Sequence, residues 1–232
     1  MNKKPILLIV LSLCLLLPAA TLPAQAQQIG RIADAKLAFQ DIMAIPEKTV
    51  PEYLLKDAAG IAIIPGVVKV GFIVGGEYGE GLLLLRDESG SWSNPIFITL
   101  AGGSIGWQLG AQSADFVLVF KTDRSVDSVL TDNLTLGVDV AAAAGPLGRR
   151  ARASTDMQLK AEIYSYSRSR GFFAGLSLDG ALIQIDDEAN AAFYDVDYIS
   201  PRDIQARKDF ELPEEAVQLK QIVSESTRSS GP

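Results

Sequence analysis

Five arginines and two tyrosines have the residue types and spacing that best suggest a binding chemistry in this chain. Three of the arginines follow a turn-forming string at 145–148, and the rest lie in a strand-like segment, 163–170. They are Arg149, Arg150 and Arg152, then Arg168 and Arg170 on one strand face with Tyr164 and Tyr166. Arginine forks beside tyrosine edges suit an anionic headgroup at an interface. The alternative is a solvated loop and an ordinary strand face with scattered arginines.

Composition excludes much of common enzymology. The 232-residue chain has no histidine, and therefore no Ser-His-Asp or Cys-His relay and no imidazole metal ligand. Ser154 and Ser167 have no recognisable activating base and lie outside a G-x-S-x-G string. The carboxylate pair Asp186/Asp187 lacks the spacing of a calcium loop. We expect no enzymatic activity, no cofactor and no metal; a hydrolase that uses paired carboxylates is the least favoured alternative.

A glycine cluster at 75–81 resembles a phosphate-binding loop only superficially. Both glycine-rich phosphate motifs need a helix directly after the loop, whose terminal amides hold the anion. Here a strand-like run at 82–85 follows, and Glu77 and Glu80 would repel phosphate. We interpret the cluster as a strand-turn-strand connection.

The first 26 residues have the pattern of an export signal. Lys3 and Lys4 precede an apolar run at 6–17, and Ala24-Gln25-Ala26 forms an A-x-A cleavage site. The run is shorter than the roughly 20 residues that span a bilayer, although a signal-anchor helix is the structural alternative. Leu13 stands where a lipobox before Cys14 needs a small residue. We expect a cleaved signal peptide at 1–26 and a periplasmic or secreted protein.

The expected mature chain is strongly acidic. Losing residues 1–26 removes two lysines and no carboxylate, which changes the formal net charge from −7 to −9. Polyanions are held by lysine and arginine, so nucleic acid is not an expected partner. The single cysteine is also lost, and no disulfide would stabilise the fold.

The remaining pattern predicts one α+β, β-rich domain over 27–226, followed by a disordered tail at 227–232. Helical periodicity or capping occurs at 29–45, 52–55, 123–130, 201–210 and 213–226. Strand-like segments occur at 61–64, 67–74, 81–86, 95–100, 104–111, 115–121, 134–143, 161–169, 172–178 and 181–185. Glycines within strands, such as Gly71, Gly76 and Gly106, indicate bends or close backbone approaches. We expect a single compact domain with a closed or nearly closed antiparallel sheet and flanking helices.

Seven strings, read together and in order, resemble the SYLF domain. They lie at 59–65, 69–72, 75–81, 92–95, 103–110, 145–149 and 164–175, within roughly residues 33 to 195. The SYLF domain is a lipid-binding module found in bacteria and, in eukaryotes, joined to membrane and cytoskeletal domains. The chain is similar to a bacterial, exported member.

The resemblance implies a compact β-rich domain that recognises anionic lipids, phosphoinositides in eukaryotic members, and has no known catalytic residues. By motif position it makes Lys69, Arg149, Arg168 and Arg170 candidate lipid contacts; Arg150 and Arg152 are added from local charge. The family's N-terminal amphipathic helix has no basic face here, because residues 29–45 balance basic against acidic side chains. Export would also remove the protein from cytoplasmic phosphoinositides.

These observations predict a non-enzymatic binding protein of the cell envelope that recognises anionic lipid or a membrane surface through a basic patch. The alternative is a structural or interaction protein of the envelope without lipid specificity. The particular lipid, the oligomeric state and the presence of a ligand pocket are left open by the sequence.

Overall fold

An eight-stranded curled sheet is the framework of the protein. The computed structural model describes residues 24–46, 49–71, 74–105, 110–131, 133–145, 161–170, 178 and 180–228. The strands are β1 (Gly60–Gly71), β2 (Val74–Leu85), β3 (Ile96–Ile105), β4 (Gly110–Phe120), β5 (Leu134–Thr135), β6 (Ala142–Ala144), β7 (Ile163–Arg170) and β8 (Leu182–Ile185). Their order is β5-β8-β3-β2-β1-β4-β7-β6. The α+β, β-rich prediction is confirmed.

The two edges of this sheet come close together. β5 and β6 lie at opposite edges, yet residues 136–141 suffice to connect them. Leu136 and Val140 form an isolated bridge within this connection, and Gly137 turns it with a φ of 79°. The sheet is therefore curled into a nearly closed form, as predicted. It is not wholly antiparallel, because the edge strand β6 runs parallel to its neighbour β7.

A bulge joins two predicted strands into one. The segment 61–64 and residues 67–71 of the second segment are parts of β1, whose register with β4 shifts between Ile64 and Val67. Val74, the last residue of the second predicted segment, begins β2. Gly66 lies in the bulge with a φ of 58°, a conformation that glycine adopts without strain. Its amide donates a 2.9 Å hydrogen bond to Oδ1 of Asp115 on β4, which fixes the bulge to the neighbouring strand.

The glycine cluster at 75–81 lies inside β2, so the strand-turn-strand interpretation was wrong. At Gly81 a Cβ would lie 2.6 Å from the carbonyl oxygen of Ile63, because the bulged strand passes unusually close. At Gly76 a Cβ would meet only a carbonyl oxygen at 3.8 Å, so no close backbone approach requires glycine there. Gly106 lies outside the described residues.

Six helices are described, and they cover parts of the sheet. They are α1 (Ala24–Met43), α2 (Glu52–Lys56), α3 (Asp123–Thr131), α4 (Asp187–Tyr194), α5 (Pro201–Ala206) and α6 (Glu214–Thr227). The helical patterns at 29–45, 52–55, 123–130, 201–210 and 213–226 each correspond to one of them. α4 was not predicted, although Asp186 caps it by accepting the Ala189 amide hydrogen at 3.0 Å. The predicted strand at 172–178 lies almost wholly outside the described residues.

Both faces of the sheet are buried at its centre. α1 packs on β1, β2, β4 and β7 with Ile32, Ala35, Phe39 and Ile42, and we call this side the helix face. Consecutive side chains at 61–64 are all buried, which a sheet covered on one face only would not allow. The buried side chains form one connected hydrophobic cluster. Among the helices described, none is long and apolar enough to cross a bilayer.

Candidate binding surfaces

Arg168, a predicted lipid contact, is engaged in ion pairs. Its guanidinium contacts the carboxylate of Asp41 near the end of α1, and Nη1 lies 4.0 Å from Oδ2 of Asp115. Asp115 is completely buried. Its charge needs a compensating cation, since a buried carboxylate without one is costly. Arg168 therefore connects β7 to α1 and to β4, and much of its charge is neutralised within the protein.

The two predicted tyrosine contacts are buried. Tyr164 and Tyr166 alternate with Arg168 along β7, which places them on one face as predicted, but their exposures are 0% and 1%. The ring of Tyr166 lies against Gly145, where a Cβ would collide with it. Burial, followed by the influence of Tyr53 on α2, raises the pKa of both phenols. The prediction that their edges line an exposed surface was wrong, because that face is covered.

Lys69 is also paired. Its Nζ lies 3.4 Å from Oε2 of Glu77, its register partner on β2. The Glu77 carboxylate covers Gly102 on β3, where a Cβ would lie 2.6 Å from Oε1. Nearby Oε1 of Gln112 is buried without a hydrogen-bond partner in the described part of the chain. Lys69 thus belongs to a polar group on the sheet face opposite α1.

The other predicted arginines are only partly placed. Arg149, Arg150 and Arg152 lie outside the described residues. Arg170 ends β7, and its backbone is the register partner of Ser113 on β4. Their union into one basic patch therefore stays a prediction.

A strip of exposed apolar side chains lies on the helix face, beyond the part that α1 covers. It consists of Val68, Val70 and Tyr78, which are 46%, 55% and 52% exposed, and we call it the distal strip. Val68 and Tyr78 are register partners, and Val70 follows on the same face. The Tyr78 hydroxyl donates a 3.0 Å hydrogen bond to Glu80, whose other oxygen lies 3.3 Å from Nε of Arg31 on α1. The strip therefore begins where the helix ends its contact with the sheet.

A cationic cavity of about 370 Å³ lies at the other end of β2. Its walls come from the β2–β3 connection, the chain after α5, and α6. Arg207, Lys208, Lys220 and Arg228 line it, and we call it the Lys220 pocket. Sequence reasoning missed it because these cations form no compact string and are gathered only by the packing of α6.

The described residues include no group of three or more acidic, histidine or cysteine side chains arranged to hold a metal ion. Carboxylates on the helix face instead form ion pairs with arginine side chains. Arg31, for example, places Nη1 2.9 Å from Asp186 and donates from Nη2 to the Ile98 carbonyl oxygen at 3.1 Å.

Comparison with known proteins relates the chain to proteins described as binding proteins and actin regulators. A family model, Ysc84, described as "Las17-binding protein actin regulator", matches residues 101–226, more than half of the chain. SH3 domain-containing YSC84-like protein 1 of Bos taurus is 38% identical over 150 residues, which are 64% of this chain and 44% of that protein. Its Xenopus laevis counterpart is 36% identical over 183 residues, 78% and 54%.

In Saccharomyces cerevisiae, Protein YSC84 is 38% identical over 151 residues, which are 64% of this chain and 32% of that protein. The chain thus spans about a third to a half of the length of these relatives. The names of the Bos taurus and Xenopus laevis proteins include an SH3 domain. Three observations agree: the match to the family model, the seven strings in order, and a curled sheet whose strands contain parts of five of these strings. The chain belongs to the Ysc84 (SYLF) domain family.

Proposed function

We propose that this protein is a non-enzymatic binding protein that attaches to anionic lipid surfaces through the distal end of its sheet. The observation that carries the proposal is the distal strip. Two valines and a tyrosine are about half exposed and adjacent on one face, whereas the same face is buried under α1 a few residues away. A contiguous apolar patch of this kind is typical of an interaction surface.

The distal strip suits the boundary between headgroups and acyl chains. Burying a valine or a similar apolar side chain contributes about 1.5–3 kcal/mol, so three half-exposed side chains could supply a few kcal/mol. Tyrosine is favoured at such boundaries because its ring is apolar and its hydroxyl is polar. This apolar contribution gives reversible binding and requires electrostatic support.

Cations near the distal strip would provide that support. Arg170 is in register with Ser113, which is in turn the partner of Val68, so its backbone belongs to the same row of residues. Each lysine or arginine near an anionic membrane contributes about 1 kcal/mol. Arg168 and Lys69 already have carboxylate partners, and the proposal therefore assigns the electrostatic part to Arg149, Arg150, Arg152 and Arg170.

Vesicle sedimentation tests the proposal. The Val68→Ser/Val70→Ser variant should bind phosphatidylglycerol vesicles about tenfold or more weakly than the parent, because it loses apolar burial. Val217→Ser is the matched control, since Val217 on α6 is 50% exposed and lies outside the strip. It should bind like the parent. Equal binding by the double variant and the parent would refute the role of the strip.

A second arm tests the arginines. Arg149→Gln/Arg150→Gln/Arg152→Gln should weaken binding to phosphatidylglycerol vesicles at low salt and reduce its salt dependence, because exposed charges are screened by salt. Arg202→Gln is the control, as Arg202 is exposed and paired with Asp127. An unchanged salt dependence in the triple variant would remove these arginines from the proposal.

Protein binding is the second candidate function, and the family's description favours it. The relatives include proteins named for Las17 binding. In an envelope protein the distal strip could receive a protein instead of a lipid, which corresponds to a structural or interaction role. The vesicle experiment separates lipid binding from protein binding. A parent protein that binds neither phosphatidylglycerol nor phosphatidylcholine vesicles would favour a protein partner.

We also propose that the protein is exported and loses residues 1–26. The first buried side chain of α1 is Gln28, so cleavage after Ala26 would keep every buried side chain of the helix. It would remove the 3.3 Å hydrogen bond from Gln25 to the Phe193 carbonyl oxygen. Expression in a Gram-negative host should give a periplasmic protein whose intact mass corresponds to an N-terminus at Gln27. A full-length mass in the cytoplasmic fraction would contradict export.

A further inference from the structure

The Lys220 pocket contains more positive charge than its own carboxylates neutralise. Four cations line it, against the single carboxylate of Asp87. Lys208 lies 3.0 Å from Asp87, and Arg207 lies 3.2 Å from Asp209. Lys220 and Arg228 have no carboxylate partner within the described residues. Two uncompensated cations facing one cavity are unusual on a protein whose formal net charge is −7.

Lys220 is held in place by a neutral group. Its Nζ donates a 2.8 Å hydrogen bond to Oδ1 of Asn94, which is itself buried. The Asn94 side chain is fixed in turn, because its Nδ2 donates to the Arg207 carbonyl oxygen at 3.0 Å. Partial burial, followed by the charge of Lys208, lowers the pKa of Lys220. An anion in the pocket would counteract this lowering of the pKa, since a partly desolvated ammonium is stabilised by an opposite charge.

The other walls leave room for a small anionic molecule. Trp92 forms an apolar wall, and its Nε1 donates to Thr227 at 3.4 Å, which ties the β2–β3 connection to α6. The Arg207 guanidinium lies 4.1 Å from the centre of the Phe210 ring. A cavity of about 370 Å³ exceeds a bare oxyanion and admits a short organic substituent.

We propose that the Lys220 pocket binds a phosphate group, with Lys220 and Arg228 as its principal cations. Two uncompensated cations match a dianion better than a single carboxylate. Arginine also presents paired donors that fit phosphate oxygens. The phosphate could belong to a small soluble phosphomonoester or to a phosphomonoester lipid headgroup.

This pocket is separate from the distal strip. Tyr78 and Leu85, which represent the two sites, are seven residues apart on β2, or about 23 Å at the usual rise of a strand. The pocket therefore adds a second site to the proposed function and does not depend on it. The Val68→Ser/Val70→Ser variant should bind phosphate as well as the parent does.

Calorimetric titration with glycerol 3-phosphate and with inorganic phosphate, at constant ionic strength, tests the proposal. The parent should bind either ligand, and binding should change the fluorescence of Trp92. Lys220→Gln and Arg228→Gln should each weaken affinity by roughly 10–100-fold, the usual effect of losing one charged hydrogen bond. Arg202→Gln, which removes a paired cation elsewhere, should leave affinity unchanged.

Melting temperatures of the variants without ligand show whether each variant is folded. Lys220→Gln should melt close to the parent, because it removes an uncompensated charge and retains an amide donor for Asn94. Weaker phosphate binding in this folded variant supports the site. Equal affinity of the parent, Lys220→Gln and Arg228→Gln for a phosphate probe that the parent binds refutes it.

Vesicles that contain phosphatidic acid distinguish the two sources of phosphate. Binding to these vesicles that Lys220→Gln weakens, with no binding of glycerol 3-phosphate, assigns the pocket to a lipid headgroup. Binding of glycerol 3-phosphate that Lys220→Gln weakens assigns it to a soluble phosphomonoester. If the parent binds neither probe in a pocket-dependent way, the proposal is wrong.

Discussion

Nη1 of Arg168 lies 4.0 Å from Oδ2 of Asp115, and Oδ1 of the same carboxylate accepts the Gly66 amide hydrogen at 2.9 Å. A cation on β7 thereby stabilises the buried carboxylate on β4 that fixes the bulge of β1. Asp41 of α1 contacts the same guanidinium, so the first helix is attached to this network. The arginine predicted as a lipid contact thus has a structural task that does not require a ligand.

Replacing Arg168 should therefore destabilise the fold. Arg168→Gln should lower the free energy of unfolding by about 1–3 kcal/mol, because it leaves Asp115 buried with less compensation. Arg168→Glu should cost more, since it adds a third carboxylate to the cluster. Chemical denaturation measures both, with Arg202→Gln as the control for loss of an exposed pair. A fully stable Arg168→Glu variant would contradict this role.

The two kinds of glycine in β2 should differ in how much stability a methyl group costs. Gly81→Ala should lower the free energy of unfolding by about 1–3 kcal/mol, because its Cβ would press on the Ile63 carbonyl oxygen at 2.6 Å. Gly76→Ala should change it by less than about 0.5 kcal/mol, as an exposed position with open space usually does. Thermal melting of the two variants gives the comparison. Similar losses at both positions would show that the spacing around Gly81 does not govern its tolerance.

Asn190 should be a strong anchor for α4. Its side-chain oxygen accepts from the Phe97 amide at 2.9 Å, and its nitrogen donates to the Phe97 carbonyl oxygen at 3.1 Å, just before the pairing of β3 with β8 begins. Asn190→Ala should cost about 1–3 kcal/mol, because it leaves the buried Phe97 amide hydrogen without this partner. The Phe97 carbonyl oxygen keeps a 3.0 Å hydrogen bond from the Asp186 amide. Asn133→Ala is the control, since Asn133 makes an exposed hydrogen bond to Gln184. Denaturant titration that ranks the two variants equally would contradict the anchor.

Acid should weaken the turn at Asp87 only at low pH. Hydrogen bonds from Ser89, Lys208 and the Ser91 amide lower the pKa of this carboxyl well below its usual 3.8. The stabilisation is therefore complete above the unfolded-state pKa and is lost as pH falls through the lower folded-state pKa. The stability difference between the parent and Asp87→Asn should be constant from neutral pH to about 5 and shrink below about 4. A difference that shrinks near neutrality would show that another group is responsible.

Local sequence patterns predicted the helices and most strands, because these patterns depend only on residues that are close together in the chain. The apolar spacing of 29–45 is sufficient for a helix with one buried side, and α1 has that side. Short apolar runs broken by glycine correctly indicated most strands, and alternation correctly placed Tyr164, Tyr166 and Arg168 on one face. The seven family strings identified the fold class for the same reason: each is a short contiguous segment.

Only the tertiary structure determined which elements pack against each face of the helices and strands. Alternation predicts which side chains share a face, but it does not predict which part of that face a helix covers. Tyr166 and Val70 both lie on the helix face, yet Tyr166 is buried and Val70 is exposed. Register and helix docking pair charges that are distant in sequence, as with Arg168 and Asp41, 127 residues apart. The Lys220 pocket arises in the same way, since α6 brings Lys220 to Asn94 across 126 residues. These long-range contacts depend on the packing of the whole core, and no local string of residues specifies them.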